Sequence, residues 1–175
     1  MSFGEVARAS AVVFVAAMLQ VVVVSSIGVA GGAPDLLLVS VVALGLLRGS
    51  VPGAVFGFAG GLIVDLLTLE ALGITSLVLT LAGFWAGRWV ETSGRGRKLA
   101  PVIAVGVLTV LASAFSLLLH YMLGDDVVAR FALVTVLVPT LLANLVLAFP
   151  VYLFIRAVVH ESVVRELPTE VEVVV

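Results

Sequence analysis

The sequence predicts an all-α integral membrane protein, one bundle of six transmembrane helices with both termini in the cytoplasm. Three observations predict it. Of the 175 residues, 62% are hydrophobic and only 11% charged, with a mean hydropathy of +1.32, which leaves too little polar surface to cover a soluble globule. The sparse charges divide the chain into six apolar runs. When those runs are threaded as six spans, the cations gather on one side of the membrane. The chain has no Cys, which excludes disulfides and thiolate metal sites and leaves the redox compartment open.

Helix 1 is predicted over residues 10–29, because no charge occurs between Arg8 and Asp35 and roughly 20 helical residues cross a bilayer core. Arg8 before it and GVAGGA after it also suit a signal peptide. The apolar run is long for one, so the segment is read as retained. Helix 2, residues 34–47, opens with Pro34 and sets Asp35 beside the positive end of the helix dipole. It is short for a span, which local bilayer thinning or packing inside the bundle accommodates. Helix 3, residues 52–69, opens with Pro52, and helix 4, residues 73–89, closes on the interfacial anchors Arg88 and Trp89. Helix 5, residues 101–123, follows the polar loop VETSGRGRKLA, and Gly124-Asp125-Asp126 is a turn signal. Helix 6, residues 131–157, carries Pro139 and Pro150, each expected to kink it. Residues 1–157 thus form one transmembrane domain. Residues 158–175 form a cytoplasmic tail of alternating acids and valines, disordered or paired as a strand with another element.

Orientation follows from the cations. With the N-terminus inside, the inner segments hold Arg8, Arg48, Arg88, Arg95, Arg97, Lys98, Arg156 and Arg165, which is eight of the nine Lys and Arg residues. Only Arg130 falls outside, among Asp35, Glu70, Asp125 and Asp126. Cytoplasmic loops carry such an excess. An odd number of spans would destroy it.

Asp65 is the first candidate for a function, since it lies 13 residues into helix 3, roughly 20 Å along it. A carboxylate there costs on the order of a few kcal/mol unless it meets water, a cation or donors. It contacts a partner helix, a ligand or a proton, or else bonds internally to Thr68, Thr75, Ser76 or Asn144. The first class takes precedence because ionisable groups within membranes are functional candidates by default. Gly53, Gly57 and Gly61 form a smooth stripe leading to Asp65, suited to close packing within the bundle and, second, to a partner helix. Arg48 is read as snorkelling to the inner headgroups. Arg95, Arg97 and Lys98 form a cytoplasmic basic loop for orientation and anionic lipid, with a cytoplasmic partner as the alternative. Asn144 is read as an intramembrane polar residue that hydrogen-bonds across helices.

Catalysis finds little support. His120 and His160 fall on opposite predicted sides of the membrane, which argues against a shared metal site. No GxxxxGK phosphate loop occurs. The expectation is a protein that is not an enzyme and uses no cofactor or metal.

The stretches PDLLLVSVVALGLLRG and GAVFGFAGGLIVDLLTLEALGITSLVLTLAGFWAGR resemble the bacterial rod shape-determining MreD family. The resemblance rests on a Pro-Asp start to helix 2. It rests also on a G-F-x-x-G-L-x-x-D-L pattern, here Gly57, Phe58, Gly61, Leu62, Asp65 and Leu66, followed by Leu72 and Gly73. It implies a non-enzymatic scaffold of the cell-wall elongation machinery in the inner membrane. The implied partners are a bitopic MreC-like protein, an MreB-like filament, a RodA-like glycosyltransferase and a class B penicillin-binding protein, with no nucleic acid. The family is also similar in fold to the six-helix substrate-binding subunits of energy-coupling-factor transporters. From another class comes the alternative, a small-molecule-binding subunit of such a transporter with Asp65 or Asn144 touching the ligand. Few polar groups inside the helices are available for that role.

Overall fold

The computed structural model describes residues 3–27, 33–69, 72–93, 100–123 and 136–160. They form six helices: α1 (Phe3–Ile27), α2 (Leu36–Arg48), α3 (Ser50–Thr68), α4 (Ile74–Ser93), α5 (Ala100–Met122) and α6 (Val138–His160). Four of them carry segments long and apolar enough to cross a membrane: Phe3–Val22, Ser50–Thr68, Ala100–Met122 and Val138–Val159. Their outward residues, among them Phe14 and Leu19, Val55 and Phe58, Val107 and Leu111, Val146 and Phe149, are exposed and apolar. That is the surface a helix presents to lipid rather than to water.

Helix α2 is the opposite case. It has 13 residues, about 20 Å of helix, and every residue from 37 to 46 is buried. A helix that is apolar all round has no solvent face and belongs at the centre of its protein. Here α1, α3, α4, α5 and α6 all pack against it. Being enclosed by protein, α2 need not match the bilayer thickness.

Three helices start earlier than the sequence predicts, α5 by the single residue Ala100 and two others by more. Helix α1 begins at Phe3 rather than at residue 10, because Glu5 is buried against Arg48 of α2 instead of marking a polar flank. Helix α3 begins at Ser50, ahead of Pro52, because Gly49 alone makes the turn from α2 with φ +98°. Only glycine takes that conformation without strain. Pro139 falls in the first turn of α6, where a missing N–H is tolerated, so only Pro150 lies inside the helix. Residues 131–135, expected at the start of helix 6, lie outside the described residues, as do Asp125, Asp126 and the tail beyond His160.

Candidate functional site

The start of α2 lies inside the bundle. The N–H groups at this start meet three acceptors, two from neighbouring helices and one from the cap residue Asp35. The Leu36 N–H donates to Gln20 Oε1 of α1 at 2.7 Å, and the Asp35 N–H donates to Asn144 Oδ1 of α6 at 2.7 Å. The Leu38 N–H donates to Asp35 Oδ1 at 2.9 Å. Gln20 stands seven residues before the end of α1 and Asn144 six residues after the start of α6, so α2 begins roughly 10 Å below the ends of its neighbours. At that depth an N–H without an acceptor costs several kcal/mol, which is why side chains replace water there. Asn144, fully buried, also donates through Nδ2 to Thr109 Oγ1 of α5 at 3.1 Å. One side chain therefore joins α2, α5 and α6.

Asp65 does for α4 what Gln20 and Asn144 do for α2. It is 1% exposed. Its Oδ2 accepts from the Gly73 N–H at 2.9 Å, the Ser76 N–H at 3.2 Å and Ser76 Oγ at 3.0 Å, and its Oδ1 accepts from the Thr75 N–H at 3.3 Å. A carboxylate on α3 thus caps the start of α4 and sits at the positive end of that helix. Of the four internal partners proposed from sequence, Thr75 and Ser76 are the ones engaged. Thr68 instead donates to the Val64 carbonyl oxygen, and Asn144 belongs to the α2 start.

The glycine stripe that leads to Asp65 also faces α4. A Cβ on Gly53 would overlap the Gly83 carbonyl, one on Gly57 the Leu79 carbonyl, and one on Gly61 the Ser76 backbone. From the other side, Gly83 and Gly87 meet the backbone of Gly53, Gly49 and Ser50. The two helices touch backbone to backbone, which small residues alone permit.

Above the start of α2 lies a cavity of about 420 Å³. It is the space a short central helix leaves while its neighbours continue. Asp35 and Leu38 line it from α2, Thr75, Val78 and Leu79 from α4, and the upper halves of α5 and α6 supply the rest. From α5 come Thr109, Ser113, Ser116 and His120, and from α6 come Thr140 and Asn144. Spacings of four, three and four residues put the α5 group on one helical face. Its signal in the sequence is the spacing rather than any single residue.

At the opposite end the contacts are ionic. Arg48 does not snorkel outward: its side chain is 17% exposed, with Nη1 3.0 Å from Glu5 Oε2 and Nη2 donating to the Val159 carbonyl oxygen at 2.9 Å. The Glu91 carboxylate of α4 accepts from the Ser50 N–H at 2.8 Å and from Ser50 Oγ, capping α3, and lies 3.7 Å from Arg88 Nη1. Arg95, Arg97 and Lys98 lie outside the described residues. Among the described residues no group of three His, Cys, Asp or Glu converges as a metal site would require.

A family model described as rod shape-determining protein MreD matches residues 6–161, nearly the whole chain. The chain belongs to the MreD family. No curated protein and no solved structure matches it. The match extends from α1 through α6, so it takes in both buried helix starts and the cavity, well beyond the two stretches whose motifs resemble the family in sequence. Membership ties the chain to the determination of rod shape. It assigns no chemistry to Asp65, Asn144 or the cavity.

Proposed function

We propose that this protein is a non-enzymatic, multi-pass scaffold of the bacterial inner membrane. It holds a bitopic MreC-like partner and helps link the RodA-like and penicillin-binding synthases outside to the MreB-like filament inside. Membership of the MreD family over residues 6–161 carries this reading. On it, six helices cross with both termini cytoplasmic, in an arrangement similar to the energy-coupling-factor binding subunits. Gly53, Gly57, Gly61 and Asp65 support the partner surface indirectly, by fixing α3 against α4 so that Val51, Val55, Phe58, Leu62 and Leu66 of α3 face outward as one apolar strip. Arg95, Arg97 and Lys98 face the filament side and anionic lipid.

The test is purification of a C-terminally tagged copy from its own host in mild detergent, with mass spectrometry of what stays bound. An MreC-like protein, with or without the synthases, is the expected result. The second reading, a binding subunit of a transporter, draws on the polar lining of the cavity. Recovery of ATP-hydrolysing subunits in place of an MreC-like protein would overturn the first reading in its favour.

A further inference from the structure

We propose that the cavity above α2 is a binding site for a small monocationic amine with an apolar body. The inference stands on the cavity itself and is independent of the scaffold reading. Its volume of about 420 Å³ lies in the range of small-molecule sites, roughly 300–1,000 Å³. Its walls divide as such sites do, with apolar surface from Leu38, Val78 and Leu79 and convergent polar groups from α2, α5 and α6.

Charge selects the class of ligand. Among the described lining residues Asp35 is the one carboxylate, and none is Lys or Arg. Among the described residues no ion pair reaches it. Its side chain accepts from backbone N–H groups at the start of its own helix, Leu38 at 2.9 Å and Leu37. A half-buried carboxylate facing a cavity is matched well by a cation that brings its own donors. The other polar groups suit an ammonium as well. His120 Nδ1 lies 2.9 Å from the Ser116 carbonyl oxygen, which can only accept. A proton therefore sits on Nδ1, and in the tautomer that carries this proton alone Nε2 is an acceptor. Ser113 and Thr140 add hydroxyl oxygens, so an ammonium with three donors finds acceptors on more than one wall. An anionic ligand would find no Lys or Arg among the described lining residues.

The experiment uses the full-length protein in lipid nanodiscs, with phenethylamine as the charged probe and 2-phenylethanol as its uncharged isostere, each titrated against empty discs. Saturable binding of phenethylamine, at least 10-fold tighter than that of the alcohol, is the expected result. Asp35→Asn should bring the two probes to within twofold of each other. Asn caps a helix as well as Asp does, so that variant keeps the start of α2. Ser113→Phe should abolish binding of both by filling the space. Equal affinity for amine and alcohol, unchanged selectivity in Asp35→Asn, or no binding above empty discs would each overturn the proposal.

Discussion

Two helix pairs, α3 with α4 and α5 with α6, run side by side through the same bundle and meet in opposite ways. The first pair is closed along its length: glycines on both helices bring the backbones into contact, and Asp65 seals the end by capping α4. The second pair is closed over half its length. Helix α5 has buried residues only as far as Ala112, and α6 has them only from Asn144 onward. Beyond that level the two helices part around the cavity, and the Asn144–Thr109 hydrogen bond marks the boundary. Small residues make a rigid seam, whereas polar residues at helical spacing keep a space open.

The largest expected effect tests the seam. Gly57→Ala places a Cβ against the Leu79 carbonyl, and overpacking against backbone that cannot yield should destabilise the bundle by about 3 kcal/mol. Thermal unfolding in detergent would read this as a fall in Tm. An unchanged Tm would show that the seam is loose.

Next in size is the ionic end, where α1, α2 and α6 meet at Arg48. Arg48→Met should cost about 1–3 kcal/mol, less than a fully buried pair because both side chains retain some exposure. Adding Glu5→Gln should recover part of that loss. A double variant no better than Arg48→Met alone would argue that the Val159 carbonyl bond, not the ion pair, carries the effect.

The smallest effect sharpens the contrast between the pairs. Gly106 on α5 has only the flexible end of Leu145 near it, at 3.2 Å from a Cβ. Gly106→Ala should be neutral or stabilise by up to about 1 kcal/mol through helix propensity. Set beside Gly57→Ala, the same added methyl should have opposite signs on the two sides. Equal losses at both positions would erase the distinction.

Much of the fold was legible because a helix in lipid declares itself by length and apolarity alone. Six helices follow from six apolar runs, and Asp65 stood out as a lone charge in one of them. What was not legible depends on contacts between distant residues. Glu5 reads as a polar flank until Arg48 is seen beside it, and α1 then extends back to Phe3. The depth of the α2 start rests on Gln20 and Asn144, which lie 16 and 109 residues from the groups they cap. The stripe of Thr109, Ser113, Ser116 and His120 carries its meaning in its spacing and not in any one residue.

On the proposed scaffold reading, the MreC-like partner docks on the closed α3–α4 unit rather than on the open α5–α6 side. The direct measurement is the yield of MreC-like partner retained by tagged Asp65→Leu and Ser113→Phe proteins, compared at equal amounts of membrane-inserted protein. Asp65→Leu removes the acceptor of the α4 start and should lose most of the partner, while Ser113→Phe should keep it at the unmodified level. Full retention by Asp65→Leu, or loss from Ser113→Phe alone, would contradict the account.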